Sequence, residues 1–382
     1  MKIVLTVIRV IVGVLFIFSG LVKANDPLGL SYKMQEFFDV WGMHGLNEVT
    51  LVLSILMIAF EIIAGVAVIL GWKMRLFSWL LLLLIIFFTF LTAYALFSGK
   101  IKTCGCFGDC IPLTAAQSFW KDIILTVLIL IIFANRNKIQ PMLSNGKSMV
   151  VLLLTVIFSF GAQWYVLQHL PVVDCLPYKK GANIPEGMKI PANAIPDSMV
   201  ITFVYNKDGK EVEFTAEEFP EDFDDSTYTF VKRYDRLIRK GNAEPAIKDF
   251  SLSTPDGFNV TDLVLATPGI KILYFAKDLA TPVKNWAEDF RNIQKEAQQR
   301  NKPLYVVTAT ADVLDDEMKK EGLSGYQLLK CDVVAIKTAA RTNPTLYLIN
   351  EGTILGKWGK ADLDKALKVI KTMEGGTPQS DQ

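Results

Sequence analysis

The sequence predicts an α-helical transmembrane four-helix bundle plus a fifth span, followed by a water-soluble α/β domain. Three observations predict it. Five segments, 3–22, 49–70, 76–97, 115–134 and 148–167, are long and apolar enough to cross about 30 Å of hydrocarbon at about 1.5 Å per residue. The chain is 51% hydrophobic with a mean hydropathy of +0.32, too apolar for an ordinary cytosolic protein of 382 residues. The charges divide as the segments do: residues 1–173 carry 12 Lys and Arg against 7 Asp and Glu, a net of +5, whereas residues 174–382 carry 28 against 32, a net of −4. The lipid bilayer is therefore the first partner implied. A near-neutral total and the lack of a dense basic run exclude an electrostatic footprint for nucleic acid.

The first segment is too long for the apolar part of a signal peptide and runs into Ser19-Gly20-Leu21-Val22-Lys23 without a small-residue cleavage site, so a retained helix is expected. Loop charges orient the bundle, because Lys and Arg in short loops stay cytoplasmic. Lys2, the Lys73/Arg75 turn and the stretch with Lys138 and Lys147 hold no acidic residue, and are placed inside. Loops 23–48 and 98–114 contain Asp26, Glu36, Asp39, Glu48 and Asp109, and fall on the opposite face. With the N-terminus inside and five spans, everything after His169 is expected in the periplasm of a bacterium, the bundle lying in the inner membrane.

Charges inside the spans mark positions to watch. Glu61 falls near the middle of the second span and is expected to face the bundle interior, protonated or paired. It is open between a proton relay, with its pKa raised by burial, and a structural hydrogen bond to a neighbouring helix. Arg9 is expected to snorkel to the cytoplasmic headgroups. Lys121 and Asp122, beside Phe119 and Trp120, read as an interface anchor, and Trp41, Trp164 and Tyr165 as an aromatic belt. His44 and His169 have no ligand spacing and are a weak metal signal, so no metal site is expected at them.

Past the fifth span, 170–196 reads as an extended Pro-rich linker near the membrane surface. The alternation of 201–205 and 212–214 around Asn206-Lys207-Asp208-Gly209 predicts a β-hairpin. From about Ile247 the pattern predicts strands at 271–275, 303–308, 333–336, 345–349 and 353–357 and helices at 282–299, 313–321 and 361–373. That order, with Arg341-Thr342-Asn343-Pro344 before Thr345–Ile349 and a turn at Asn350-Glu351-Gly352, resembles the thioredoxin fold, in which a cis proline precedes the penultimate strand. One departure matters. Where thioredoxins place Cys-x-x-Cys this chain has Leu279-Ala280-Thr281-Pro282, so dithiol exchange by that route is excluded and binding or positioning is expected. Cys331, before a predicted strand, reads as a small buried apolar residue.

The densest chemical signal is Cys104-Gly105-Cys106-Phe107-Gly108-Asp109-Cys110, just past the third span. The glycines let the backbone turn tightly enough for sulfurs to approach. In an oxidising compartment such cysteines form structural or exchangeable disulfides, and Cys175, at the same membrane surface, is an available partner. Three readings stay open: thiol–disulfide exchange with electrons passing to a quinone, a structural staple, and a zinc or copper site.

Arg9 to Lys23 followed by Asp26-Pro27, Phe60-Glu61 with Gly65, Gly71-Trp72, and Cys104-Gly105-Cys106-Phe107-Gly108 together resemble DoxX-like membrane proteins and the related MauE proteins of methylamine utilisation, over about residues 1–134. The longer arrangement is similar to a DoxX branch of Bacteroidetes-type bacteria with a thioredoxin-like tail. The resemblance implies a four-helix bundle, redox work linked to quinone or disulfide formation, and service to a periplasmic protein partner. The expected organisation is a DoxX/MauE-like domain (1–134), a cytoplasmic loop and fifth span (135–169), a periplasmic linker and hairpin (170–246), a thioredoxin-like periplasmic domain (247–375) and a disordered tail (376–382). Cys104, Cys106, Cys110 and Glu61 are the expected catalytic residues of a redox membrane protein. The competing expectation is a non-enzymatic anchor or assembly factor whose redox-silent domain binds an envelope partner.

Overall fold

A computed structural model describes residues 2–101, 105–195, 198–224, 226–239, 241 and 243–373. Cys104 and the tail 376–382 lie outside the described residues. Five helices are long and apolar enough to span a membrane: α1 (Lys2–Ala24), α3 (Thr50–Leu70), α4 (Met74–Ser98), α5 (Ala115–Ala134) and α6 (Asn145–His169). All five lie where the hydropathy places them, with ends shifted by at most three residues. The protein is a multi-pass membrane protein.

The spans assemble through inward stripes. On α1 the buried positions are Leu5, Arg9, Val12, Phe16, Gly20 and Lys23, a spacing of three and four that puts them on one side of the helix. On α5 they are Ser118, Asp122, Leu125, Ile129 and Ile132. Helices α1 and α3 cross closely at Gly13 and Gly65: a Cβ on either would lie 2.8 Å from the other's carbonyl oxygen, so a side chain would force the helices apart. Val14 and Phe18 on α1, Phe90 on α4 and Ile157 on α6 are exposed, as expected of a surface that lipid covers.

Two expectations for the bundle are corrected. Arg9 does not snorkel: it is 5% exposed and Nη1 donates to the Gln140 carbonyl at 3.3 Å, because its place on the inward stripe aims it at the turn after α5. The loop 23–48 contains α2 (Pro27–Val40). Asp26 caps that helix by accepting from the Gly29 N–H at 3.1 Å, and Pro27 fits its first turn, where no intrahelical donor is needed.

After α6 the chain builds a thioredoxin-like α/β domain. Strands β4 (Ile270–Phe275), β5 (Leu304–Thr308), β6 (Gln327–Lys330), β7 (Thr345–Asn350) and β8 (Thr353–Gly359) form one sheet in the order β6-β5-β4-β7-β8. β4, β5 and β6 are parallel to one another, and β7 and β8 pair antiparallel. Alternate residues of β4 serve two cores: Ile272 and Tyr274 pack under α9 (Ala287–Gln299) and α12 (Leu363–Lys371), and Leu273 and Phe275 face the other side. The Asn343–Pro344 peptide bond before β7 is cis. Cys331 is buried in the second core, as read from the sequence.

The expected strand at 333–336 is instead helix α11 (Val333–Ala339), and the edge strand is β6, six residues earlier. Asp332 explains the change: its carboxylate accepts from the Val334 and Ala335 N–H groups at 2.8 and 3.1 Å, a cap that outweighs the β preference of the valines. The stretch after 170 is not an extended linker throughout. Tyr178 and Ile184 are buried in the sheet's second core, the Gly181 N–H donates to Ile354 O at 2.8 Å, and the Ile184 N–H to Gly352 O at 2.9 Å. The expected hairpin, β1 (Ser198–Lys207) and β2 (Lys210–Thr215), gains a third strand β3 (Tyr228–Arg239) in a separate sheet, with Phe214, Phe219 and Phe223 packed together on it.

Polar contacts seat the α/β domain on one end of the bundle. Arg341, 5% exposed at its side chain, donates through Nε to Asp26 at 2.8 Å and through Nη2 to Asp109 at 3.0 Å. Lys277 Nζ donates to the Tyr32 hydroxyl at 3.1 Å, Lys337 Nζ to Gln35 at 3.1 Å, and Asp362 meets His169 Nδ1 at 2.9 Å. The cysteine loop, α2 and the α/β domain thus share one end of the bundle. Arg341→Met is expected to leave the buried Asp26 without its cation, to cost about 3–5 kcal/mol, and to speed protease cleavage after Leu170 in the full-length protein. An unchanged cleavage rate would show that docking does not rest on this clamp.

Candidate functional site

The ends of α1, α2, α3, α4 and α5 and the loop carrying Cys106 enclose a cavity of about 280 Å³, near the lower end of the roughly 300–1,000 Å³ usual for small-molecule sites. Its wall is apolar, with Phe37, Phe88 and Leu125 among its members, and it is crossed by a few charged groups. Gly105 and Gly108 have φ of +66° and +56°, a left-handed backbone that glycine adopts without strain, and they turn the loop so that Cys106 and Phe107 line this space.

Glu61 reaches the cavity from α3, and it is paired. Lys23 Nζ, from the last turn of α1, lies 2.5 Å from Glu61 Oε1, the side chains 4% and 1% exposed. The close crossing of α1 and α3, where a Cβ on Gly20 would lie 3.4 Å from Glu61 Cβ, brings the two side chains within reach of each other. Ser19 Oγ stands 3.0 Å from Glu61 Oε2 and 3.1 Å from the Cys106 carbonyl oxygen, so its one proton serves either acceptor. A hydroxyl thus links the buried carboxylate to the cysteine loop.

A second pair lines the same cavity. Asp122 on α5 has a fully buried side chain; it accepts from Lys121 Nζ at 2.6 Å, and Thr92 Oγ1 of α4 lies 3.2 Å away. Lys121 Nζ also sits 5.3 Å from the Phe107 ring centre. The interface anchor expected of Lys121 and Asp122 is therefore corrected: Asp122 belongs to the inward stripe with Ser118 and Leu125, a three-to-four spacing readable in the sequence. Trp41 is likewise no simple belt residue, since it lines the cavity and its ring meets Phe37 and Tyr94 at 5.6 and 5.5 Å.

The cysteines divide. Cys110 is disulfide-bonded to Cys175, with Cα atoms 4.9 Å apart, which ties the loop to the segment leaving α6. Cys106 is a free thiol. Burial pushes the Cys106 thiol up from its ordinary pKa, and the Lys121 ammonium is the largest influence drawing it back, with Lys23 also lowering it and Asp122 raising it. Among the described residues no group of three or more His, Cys, Asp or Glu stands ready to hold a metal ion.

Two outcomes follow. Lys23→Met alone or Glu61→Leu alone is expected to lower the thermal stability of the detergent-solubilised protein by removing one member of a buried pair, an effect of about 3–5 kcal/mol; Lys23→Met with Glu61→Leu should recover part of it in a double-mutant cycle. Because the thiol pKa is raised, Cys106 is protonated at neutral pH, and its alkylation should keep accelerating as pH climbs past the range of an ordinary thiol. A plateau near neutrality would contradict the assigned environment.

Residues 199–240, the three-stranded sheet, match a domain of unknown function (DUF8463). Among curated proteins none matches the chain. Solved structures similar to it include peroxiredoxin Q of Xanthomonas campestris, with 20% identity and a TM-score of 0.25, covering 33% of this chain and 92% of that one. The bacterioferritin comigratory protein of the same organism, described for alkyl peroxide reduction, has 18% identity and a TM-score of 0.26, with the same coverage. Residues 1–135 match the family of methylamine utilisation protein MauE, which makes the part of the chain from α1 to α5 a MauE-like membrane domain.

Proposed function

We propose that this chain is a membrane thiol oxidoreductase in which Cys106 is the reactive thiol and a quinone taken into the bundle receives the electrons. The carrying observation is the cavity itself, because it brings the free thiol, a buried carboxylate–ammonium pair and an apolar wall together at one place. Cys104, two residues away in the sequence, is the second thiol in this reading. Joining two thiols releases two electrons and two protons; the acceptor takes both electrons, and its two oxygens take the protons.

Within that reaction Glu61 and Lys23 hold a proton at the cavity wall, and Ser19 links them to the cysteine loop. Cys110 and Cys175 form the staple that holds the loop in place. In this reading, which the charge pattern of the loops supports, this end faces the periplasm, with the N-terminus cytoplasmic and the bundle in the inner membrane, and a periplasmic protein supplies the reduced thiols. The DoxX likeness of Arg9 to Lys23 and of Phe60-Glu61 agrees with quinone-linked work.

A second reading has an observation of its own. The α/β domain lacks cysteine at 279–282 and is seated on the bundle through Arg341, as suits an assembly factor that positions an envelope partner without turnover. Cys106→Ser separates the two. Thiol oxidation by the full-length protein in vesicles containing ubiquinone should be abolished, and the protein should still insert and keep its Cys110–Cys175 bond. Full activity in the variant, or none in the wild type, would favour the assembly role.

A further inference from the structure

Four charges are brought into one small apolar space, which is expensive for a bundle that needs only packing to hold together. They form two pairs of the same composition. Lys23–Glu61 joins α1 to α3 at 2.5 Å, Lys121–Asp122 lies on α5 at 2.6 Å, and the two carboxylates are 1% and 0% exposed. All four residues line the cavity with Cys106. Lys33 of α2 also lines it, paired with the more exposed Glu36 at 2.7 Å.

The duplication fits the chemistry of one kind of acceptor. Making a disulfide from two thiols sets free two electrons and two protons, and an acceptor with two conjugated carbonyl groups needs one proton at each oxygen when it takes both electrons. We propose that Lys121–Asp122 is the second of two proton-donating stations, and that the cavity holds a para-quinone head group with one carbonyl at Lys23–Glu61 and the other at Lys121–Asp122. This rests on the thiol-oxidation reading above.

Each lysine donates a hydrogen bond to one carbonyl oxygen, yields a proton there to become a neutral amine and returns to the ammonium by taking one from a thiol, its carboxylate holding the nitrogen in place throughout. Lys121 is the cation that most favours the Cys106 thiolate, so it recovers the Cys106 proton. Lys23 recovers the proton of the second thiol, and Ser19 Oγ, 3.0 Å from Glu61 and 3.1 Å from the Cys106 carbonyl, links that pair to the cysteine loop. The sum is two thiols and one quinone giving one disulfide and one quinol, with no proton or electron left over.

The test uses the full-length protein in vesicles, with decylubiquinone as the probe and a mono-ketone bearing the same decyl tail as its comparison. Binding is read by quenching of tryptophan fluorescence, Trp41 lying in the cavity wall. The wild type should bind the quinone about tenfold more tightly than the mono-ketone, and Lys121→Met should erase that preference. Asp122→Asn should lower kcat for thiol-dependent quinone reduction by about 10²-fold. Lys121→Arg should keep the binding preference yet lose turnover, because guanidinium does not give up its proton; it guards against a folding defect in the methionine variant. Cys106 alkylation should move to higher pH in Lys121→Met and stay put in Lys121→Arg. If the wild type oxidises thiols and reduces decylubiquinone while Lys121→Met and Asp122→Asn match it in turnover and in quinone preference, the second station falls and the oxidoreductase survives. If the wild type neither binds nor reduces decylubiquinone, both fall.

Discussion

A charge inside an apolar bundle has to find a partner, and that constraint organises the membrane domain. A charged Glu61 near the middle of α3 needs a cation, and Lys23 reaches it where α1 and α3 pack closely through Gly13, Gly20 and Gly65. The same crossing carries Ser19 to the carboxylate and to the loop above it. Without the pair, the cavity would lose its charged floor, and Ser19 would keep only its contact with the Cys106 carbonyl.

The loop is over-determined from outside the bundle as well. Cys110 is bonded to Cys175, Asp109 accepts from Arg341, and Gly105 and Gly108 supply the turns between them. Cys106 is thereby left as the free thiol that lines the cavity. Burial favours its protonated form, and Lys121 is the largest influence favouring the thiolate.

The spans, the separate globular part and most strands of the thioredoxin-like sheet were legible in the sequence, because each rests on a long periodic signal. Ile270–Phe275 and Thr345–Asn350 alternate or run apolar as buried strands do, and the five spans are longer than any competing element. What escaped was set by single polar residues: Asp332 turned a valine-rich strand candidate into α11, and Asp26 with Pro27 started α2 within an expected loop. Glu61 and Cys106 were each read as candidate site residues, and the structure brings both to one cavity, but Lys121 and Asp122 were read by their aromatic neighbours Phe119 and Trp120. The stripe Ser118, Asp122, Leu125, Ile129 was the better guide. Which cysteine meets Cys175 depended on the path of the chain after α6, a tertiary fact with no local signature.

The two ties between the α/β domain and the membrane domain differ in kind, and the difference decides which of them the surroundings can loosen. The Cys110–Cys175 bond lies between the loop and the start of the globular part and answers only to reductants. The Arg341 clamp is electrostatic, and its arms are unequal: Asp26 is 15% exposed at its side chain, Asp109 42%. Ions screen the exposed arm far more than the buried one, so the contact with the cysteine loop weakens before the contact with the start of α2. The domain is therefore held firmly at the base of α2 and more loosely over the loop. That ordering makes the cysteine loop the part of the contact that salt loosens first, while the disulfide and the Asp26 arm keep the domain in place.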